Sequence, residues 1–417
     1  MKKQIVFMHQ NYPAQFGPVS QFLLREYDVE IAFFSEHAAK AVHPGIKHYL
    51  YKPAPTGHEE TPYFFSRYFE QEAASMHGLY GALKASGVEP DLLVGHAAFG
   101  TMGLLHVEYP EVPRIGFFEL FYDPHGRSSE NRPDYPAPRP NRLRVPLRNA
   151  TQLVELEYCT RGYSPTHFQR STYPEAYQQK LSVIFDGIDV NFYRPGEVGA
   201  QSKLKRTWPA GAKLVTYVSR GLEAMRGFDI FMEVAERVAQ RRDDVHFVVA
   251  GRPKTHYGSE MIGIEEPTFK EHVLKRHRYD LSRFHFVDWL SEPELLDLFR
   301  LSSCHFYWTV PFTLSWSLFQ AMAAGCLVMG SDSAPVRDAV ADGVTGLLVE
   351  PYGKDEMVEK MLEVLDKPAA YEHLRENARQ SMVETYSFEV CLPKLAEFYL
   401  QENARSAGCS RAAAEVC

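Results

Sequence analysis

The sequence predicts an α/β protein built from two doubly wound parallel sheets. Short apolar segments alternate with helical stretches in both halves, the pattern that parallel sheets covered by helices require. The chain has 417 residues, 45% of them hydrophobic, which is ample for two domains because a single core rarely grows beyond about 300 residues. A Gly- and Pro-bearing stretch near 186–203 separates the halves and predicts a cleft between them, where ligand sites are common.

Each half contains several segments that we predict to be strands or helices. In the N-terminal half the predicted strands are 4–9, 30–34, 92–95, 114–118 and 181–185, and the predicted helices are 62–85 and 148–158. In the C-terminal half the predicted strands are 213–218, 246–250, 284–287, 305–308, 326–329 and 346–349, and the predicted helices are 228–241 and 293–301. Residues 124–146, rich in proline and arginine, break this rhythm and predict a surface excursion.

Composition excludes several classes of protein. A net charge of −8 argues against a nucleic-acid-binding surface. The six cysteines form no CxxC pair, so reduced thiols in the cytoplasm fit better than disulfides or structural zinc. The apolar run at the N-terminus is too short for a signal peptide, and no run is long enough to span a bilayer, so any membrane contact is expected to be peripheral.

Known cofactor and metal motifs are missing from the sequence. There is no GxGxxG after a strand and no GxxxxGK[ST] loop, which argues against a dehydrogenase or an NTPase. There is also no DxD-type pair at a strand end and no HExxH spacing. We therefore predict neither a cofactor nor a bound metal.

The loop 311–317 lies between a predicted strand and a predicted helix. Ser315 or Ser317 can cap this helix, which would run to about Ala324 and end at Gly325. Free N–H groups at such a helix start favour anions, so the loop is a candidate diphosphate cradle with Trp316 packing or stacking beside it. Simple capping beside a core tryptophan is the alternative.

A resemblance to a known family strengthens the first interpretation. The run LSWSLFQAMAAGC, followed by SDSAPVRDAV and DGVTGLLVE, resembles the donor signature of family 4 retaining glycosyltransferases, in the branch that reads roughly L-S-W-S-L-L-E-A-M-A-C-G. The segments IVFMHQNYPAQFGPVSQFL, DLLVGHAAFG and YVSRGLEAMRGFDIF are also similar and follow in that family's order.

The resemblance implies a GT-B fold, in which two Rossmann-like domains face each other across a deep cleft. The acceptor-side domain would comprise 1–195 and the nucleotide-sugar-binding domain 204–385. A helix over 386–401 would cross back to the N-terminal domain.

Two arginines are the main catalytic candidates. Arg220 and Arg226 flank Gly221 in the loop SRGLEAMRG, where guanidinium groups could hold a diphosphate that gains charge as its bond to the sugar breaks. The family has a lysine more often at the second position. The alternative is two solvated surface arginines.

The donor-binding candidates lie along the C-terminal half. Gln320 stands where the family has a glutamate that binds the ribose hydroxyls. Phe312 stands where the wider family has another glutamate, which lies near the donor sugar or its phosphate. The alternative for Gln320 is a residue on the surface of the helix. Leu290 belongs to HFVDWL, the implied base-binding loop, and Ser331–Asp338 could place backbone near the donor sugar or form a turn. The implied donor set is Ala14, Gln15, Gly221, Leu290, Ser315, Trp316, Ser317 and Gln320.

The N-terminal half supplies fewer candidates. Gln10, Asn11, Ala14 and Gln15 follow the first strand, and Ala14 replaces the glycine usual in this branch. His96 matches a position that can reach the transferred sugar or the acceptor, although a structural histidine is the alternative. Glu119 lies either in the acceptor cleft or beside an arginine.

The predicted function is retaining transfer of a sugar from a nucleotide diphosphate sugar to an acceptor hydroxyl, in glycan, glycolipid or glycoconjugate biosynthesis. The acceptor would be a glycan, a lipid or a small molecule. Rival interpretations are a degenerate GT-B module that binds without transfer and a nucleotide-sugar epimerase. The enzyme would be cytoplasmic and could touch the inner face of a membrane through 132–148, although a solvated loop is the alternative there.

Overall fold

Two parallel β-sheets organise the chain. The structure is a computed structural model that describes residues 2–55, 63–99, 102–125, 131–199, 202, 204 and 208–401. The strands of the N-terminal half and of a small hairpin are β1 (Lys3–Met8), β2 (Val29–Ser35), β3 (Ile46–Leu50), β4 (Leu92–His96), β5 (Arg114–Phe117), β6 (Asn131–Arg132), β7 (Tyr135–Pro136), β8 (Arg161–Ser164) and β9 (Leu181–Val183). The strands of the C-terminal half are β10 (Lys213–Gly221), β11 (Val245–Arg252), β12 (Phe284–Val287), β13 (Ser302–Tyr307), β14 (Val328–Ser331) and β15 (Leu347–Val349).

Both sheets have the strand order of doubly wound folds. The first sheet runs β3-β2-β1-β4-β5-β8-β9 and the second runs β12-β11-β10-β13-β14-β15, with parallel pairing throughout. In each sheet the first strand of the half lies centrally, so two crossovers run in opposite directions from it. In each sheet the carboxyl ends of the strands therefore lie along one edge, where ligands bind in such folds.

Helices cover both faces of the sheets. They are α1 (Phe16–Glu26), α2 (Arg67–Ser86), α3 (Leu105–Glu108), α4 (Arg139–Leu143), α5 (Val145–Arg148), α6 (Ala150–Tyr158), α7 (His167–Ser171), α8 (Glu175–Gln178), α9 (Phe228–Ala239), α10 (Phe269–Arg276), α11 (Glu292–Leu301), α12 (Trp316–Ala323), α13 (Ala334–Arg337), α14 (Lys354–Asp366), α15 (Glu372–Ser381) and α16 (Phe388–Leu400). None of the helices within the described ranges is long and apolar enough to cross a bilayer.

The predicted strands are confirmed to within a few residues. Two strands of the parallel sheets, β3 and β8, were missed, as was the short β6–β7 hairpin. β3 is an edge strand in which only Ile46 is buried, so its letters IKHYL show no apolar run. β8 reads RGYS and stays in the sheet because Gly162 leaves room for Phe118. The predicted helix 62–85 begins only at Arg67, and its first residue lies outside the described residues.

The last helix returns to the N-terminal sheet. Leu395 and Tyr399 of α16 share a core with Ile5 and Phe7 of β1. The Tyr399 hydroxyl lies 2.6 Å from that of Tyr163 in β8. The chain therefore leaves the C-terminal half and ends by packing against the N-terminal half.

The proline-rich excursion packs against the C-terminal half. Arg132 of the β6–β7 hairpin is only 1% exposed and donates to both carboxylate oxygens of Asp229 in α9, at 2.9 and 2.7 Å. Its guanidinium also lies 5.0 Å from the Trp308 ring. The interpretation of 132–148 as a solvated or lipid-facing loop is therefore wrong for Arg132, and Arg144 is buried as well. The partner, Asp229, lies 97 positions away and gives no local sequence signal.

Candidate functional site

Strand β10 ends with a glycine that the close approach of the backbone requires. A Cβ atom on Gly221 would lie 2.1 Å from the carbonyl oxygen of Lys254. Any larger residue would push apart β10 and the segment after β11. This close approach brings the arginine-bearing loop beside residues 254–262.

The Arg226 side chain is held against the candidate donor loop 311–317. It is 7% exposed, and its Nη1 donates to Thr309 Oγ1 at 3.0 Å and to the Thr313 carbonyl at 2.9 Å. The guanidinium lies 5.1 Å from the Phe312 ring. Arg226 is thus a buried cation directed at the segment that leads into α12, and the alternative of a solvated surface arginine is wrong for it.

Arg220 is exposed but contacts the same region. Its Nη1 donates to the Tyr257 hydroxyl at 3.3 Å. The Tyr257 ring lies 5.1 Å from that of Phe312 and 5.6 Å from the Arg226 guanidinium. Tyr257 therefore joins the two arginines, and the sequence interpretation missed it.

Two buried carboxylates link the arginine-bearing loop to residues 254–260. Glu223 accepts from the backbone N–H groups of His256 and Tyr257 at 2.7 and 3.0 Å, and Glu260 accepts from that of Ala224 at 3.1 Å. Burial raises the pKa of Glu223, against the opposing effect of these N–H groups and of Arg226. Side chains on the two loops thus fix them to each other.

The start of α12 is also well defined. Ser315 occupies the N-cap position, where its N–H donates to the Tyr307 hydroxyl at 3.0 Å and its Oγ lies 2.7 Å from Ser317 Oγ. The predicted capping by the Ser315 side chain is wrong, because its hydroxyl bonds no backbone N–H of the helix. Trp316 is 47% exposed, so the alternative of a core tryptophan is wrong too.

Trp316 reaches across to the N-terminal half. Its side chain lies close enough to the carboxyl group of Asp186, a buried residue three positions after β9, to lower the pKa of that group. Burial raises the pKa of Asp186 to about 8, the charge of Glu119 raises it further, and the Trp316 side chain lowers it. Sequence reasoning missed Asp186, although it follows a predicted strand.

His96 and Glu119 lie together at the ends of neighbouring strands. His96 is buried, and its Nδ1 accepts from the Ala98 N–H at 3.2 Å. Its Nε2 therefore carries the hydrogen and lies 3.6 Å from Glu119 Oε2. Among the described residues, the Glu119 carboxylate thus pairs with a histidine and not with an arginine. The ring of His9 lies 5.3 Å from that of His96, and burial lowers the pKa of His9.

Strand topology explains how these side chains meet. His96 ends β4, Glu119 lies two positions after β5 and Asp186 three after β9. Carboxyl ends of parallel strands open on one edge, so the three polar groups share that edge and Trp316 closes it from the other half. His96, Glu119, Asp186 and Trp316 form what we call the cleft floor.

The loop after β1 contains a strained residue. Ala14 has a φ of +48°, the one positive value at a non-glycine position in the described part of the chain. Gln15 follows at the N-cap of α1, and its Nε2 is buried without a hydrogen-bond partner among the residues described. The backbone oxygen of Gln10 accepts from Glu36 and His37, whereas Asn11 is exposed.

The remaining donor candidates lie on other elements of the C-terminal half. Leu290 packs with Val248, Ala250 and Leu298 in a separate cluster. Gln320 lies on the second turn of α12 and is half-buried. Ala334 and Pro335 open the short helix α13.

A cavity of about 410 Å³ lies between the two halves, beside Tyr257 and Phe312. The N-terminal half contributes Arg67, Arg144 and Arg148 to its wall. The sequence indicated 132–148, which contains Arg144 and Arg148, only as a possible membrane contact, and it did not single out Arg67, because α2 and the α4–α5 region meet only in the fold. No group of His, Cys, Asp or Glu side chains suited to a metal ion occurs in the described ranges.

Two family descriptions match successive parts of the chain. Residues 27–193 match the glycosyl transferase family 4 group, and residues 201–381 match glycosyl transferases group 1. These matches fall on the two halves that the sheets define.

Curated relatives agree with these matches. The chain is 25% identical over 198 residues to D-inositol 3-phosphate glycosyltransferase of Kribbella flavida, covering 46% of this chain and 44% of that protein. It is 24% identical over 186 residues to alpha-D-kanosaminyltransferase of Streptomyces kanamyceticus, covering 45% of each. The chain spans about half the length of the curated relatives it matches.

Solved structures share the fold over nearly the whole chain. Sucrose-phosphate synthase from Thermosynechococcus elongatus superposes with a TM-score of 0.73 at 14% identity, covering 95% of this chain and 98% of that one. HepE of Anabaena, solved in complex with UDP-glucose, superposes with a TM-score of 0.63 at 15% identity and the same coverage. The arrangement of two facing Rossmann-like halves is therefore the GT-B fold.

Proposed function

Because the chain belongs to the family 4 glycosyltransferases, we propose that it transfers a sugar from a nucleoside diphosphate sugar to an acceptor hydroxyl. The observation that carries the proposal is the placement of Arg226. This buried guanidinium is held by Thr309 and Thr313 and directed at the loop before α12. A fixed cation beside a helix N-terminus is suited to a diphosphate.

In this proposal the two arginines have different roles. Arg226 is preorganised, so little reorganisation is needed when negative charge develops on the leaving diphosphate. Arg220 is exposed and, among the described residues, its guanidinium bonds the Tyr257 hydroxyl alone, so it can move onto the phosphates when the donor binds. The N–H groups at the start of α12 would add further donors beside Ser315 and Ser317.

The opposite wall would receive the acceptor. Glu119 lies on the cleft floor with the His96 Nε2–H directed towards it, and we propose that His96 positions this carboxylate near the transferred sugar. The departing phosphate oxygen would take the acceptor proton on the same face, with retention of configuration. Arginines would take the place of a divalent metal, and no other cofactor is proposed.

The alternative of a module that binds without transfer is not favoured. Phe312 and Gln320 motivated it, because they replace family glutamates. Phe312 lies against the Arg226 guanidinium and leaves its two hydrogen bonds in place. Gln320 keeps a carbonyl oxygen that can accept from a ribose hydroxyl.

A screen of nucleotide sugars tests the proposal. Thermal unfolding with each candidate donor should show one that stabilises the protein by several kcal/mol at saturation. With this donor, sugar release or transfer should persist in EDTA, and NMR should show the donor's anomeric configuration in the product. Arg220→Ala should lose at least tenfold in turnover with the fold intact. Binding without release under varied acceptors would contradict transfer.

A further inference from the structure

The cavity between the halves contains positive charge that no carboxylate in its wall neutralises. We propose that Arg67, Arg144 and Arg148 bind a phosphate or carboxylate group of the acceptor, so the acceptor class is an anionic sugar, polyol or glycolipid. This inference rests on the proposed function, because it names the acceptor of the same cleft.

Arg144 provides the first line of support. It is 8% exposed, yet its Nη1 is buried without a hydrogen-bond acceptor in the described structure. Its guanidinium lies 4.9 Å from the Tyr68 ring and 5.1 Å from the Phe64 ring. A buried cationic donor without an acceptor is costly, so a bound anion would supply the missing partner.

The neighbouring arginines share this arrangement. Arg67 lies 5.2 and 5.3 Å from the rings of Phe64 and Tyr68. Arg148 lies 3.6 Å from the Tyr122 ring and donates to its hydroxyl at 2.6 Å. Aromatic faces orient guanidinium groups while leaving their edges free for bidentate contact with a planar or tetrahedral anion.

The wall of the cavity contains no acidic side chain among the described residues. The lining residues are Phe64, Arg67, Tyr68, Tyr122, Asn141, Arg144, Arg148, His256, Tyr257, Gly258, Ser259, Met261, Ile262 and Phe312. Glu72 lies nearby but outside this wall, where Thr151 donates to it and the Arg148 charge acts on it. Burial raises the pKa of Glu72 to about 7, which weakens it as a counterion. The positive charge of the wall is thus largely available to a ligand.

The position of the cavity points to the acceptor. Its C-terminal wall includes Tyr257 and Phe312, which also contact Arg226, so it adjoins the proposed diphosphate site. The three arginines come from α2 and from the α4–α5 region on the opposite half. A volume of about 410 Å³ suits a ring with one anionic substituent.

Calorimetric titration with inorganic phosphate tests this inference, with the protein saturated by UDP or by the diphosphate chosen in the donor screen. Wild-type protein should bind phosphate, and Arg144→Gln should raise the Kd at least tenfold. Arg67→Gln, at a half-buried position, should also weaken binding. Arg142→Gln is the matched control, because Arg142 lies on the same segment, is exposed and does not line the cavity. Its Kd should stay within twofold of wild type.

Diphosphate affinity separates failure of the inference from failure of the proposed function. Unchanged affinity in Arg144→Gln would show that the variant is folded and that these arginines are separate from the donor site. Phosphate that binds no better to wild type than to Arg144→Gln, or that the diphosphate displaces, would overturn the inference. Absence of diphosphate binding in wild type would instead overturn the proposed function.

Two further assays identify the source of the anion. In transfer assays, a phosphorylated acceptor should exceed its neutral parent at least tenfold in kcat/KM, and Arg144→Gln should remove that advantage. Sedimentation with phosphatidylglycerol vesicles, but not phosphatidylcholine vesicles, would instead assign the anion to a lipid headgroup if Arg144→Gln abolished it. Equal use of neutral acceptors by both proteins, without vesicle binding, would contradict the subsite.

Discussion

The two walls of the cleft use arginine differently. On the C-terminal wall, Arg226 is buried with two hydrogen-bond acceptors within 3.0 Å. On the N-terminal wall, Arg144 is buried to a similar degree, but its Nη1 has no acceptor in the described structure. One guanidinium is already held, whereas the other stacks on aromatic rings and lacks a partner.

The two arrangements suit different ligands. A preorganised cation stabilises charge that develops during a reaction, because folding has already supplied the free energy needed to orient it. A cation without a partner favours a ligand that arrives with its charge. The C-terminal wall therefore suits the leaving diphosphate, and the N-terminal wall suits an anionic acceptor.

Removing the fixed arginine should have the largest effect. Arg226→Ala should lower kcat/KM about 100-fold, since one preorganised contact often contributes about 3 kcal/mol. Steady-state transfer assays at several donor concentrations measure the loss. Arg241→Ala, an exposed surface arginine paired with Glu359, is the control and should keep wild-type activity. If Arg226→Ala matched the control, the two walls would not differ as described.

Breaking the link between the two halves should mainly affect stability. Arg132→Ala leaves Asp229 without its bidentate partner, so the free energy of unfolding should fall by about 3 kcal/mol. Urea denaturation measures this loss. The double variant Arg132→Met with Asp229→Leu should lose less, because no unpaired charge remains. Equal losses in both variants would show that packing of the hairpin, and not its charge pair, joins the halves.

The cleft floor predicts a pH dependence. Asp186 has a pKa of about 8 in the folded protein against 3.8 for an ordinary aspartate, so the folded state keeps a proton that the unfolded state releases between these values. The free energy of unfolding is therefore not lowered by this group below pH 4. It falls as the pH rises from 4 to 8, by about 1.4 kcal/mol per pH unit at most.

Asp186→Asn should reduce this slope, since asparagine does not titrate and keeps a carbonyl oxygen that can accept a hydrogen bond. Urea denaturation of both proteins at pH 5, 6.5 and 8 measures the difference. Glu72 and Glu155, whose pKa values burial also raises, contribute equally to both proteins and cancel in the comparison. Parallel pH profiles would show that Asp186 is charged in the folded protein.

The smallest predicted effect concerns the loop after β1. Ala14→Gly should stabilise the protein by about 0.5 kcal/mol, because relief of the left-handed conformation slightly exceeds the added freedom of the unfolded chain. Ala82→Gly, within α2, should destabilise it by about 1 kcal/mol as the opposite control. Thermal denaturation can compare the two. A loss in both variants would mean that Ala14 carries no strain.

The sequence predicted the fold better than it predicted the cleft. Strands such as β1 and β10 have apolar runs long enough to be recognised locally, and the family motifs located Arg226 and the start of α12. Edge strand β3 was missed because most of its residues are exposed or half-buried and its sequence, IKHYL, has no clear alternation of apolar and polar residues. Roles for Arg220, His96 and Gln320 remain proposals.

The rest depended on contacts between distant segments. Arg132 resembles any arginine in a proline-rich loop until Asp229 is seen beside it. Arg67 and Arg144 are separated by many residues and meet only because α2 and the α4–α5 region pack together. Asp186 could not be recognised from the sequence, because Trp316, the residue that acts on its carboxyl group, lies in the other half.

A crystal structure with the nucleoside diphosphate bound would show whether Arg226 and Arg220 hold the leaving group. We expect oxygens of the diphosphate about 3 Å from the guanidinium groups of both arginines, next to the first turn of α12. A diphosphate bound instead against Arg144 and Arg148, or away from both walls, would contradict this expectation.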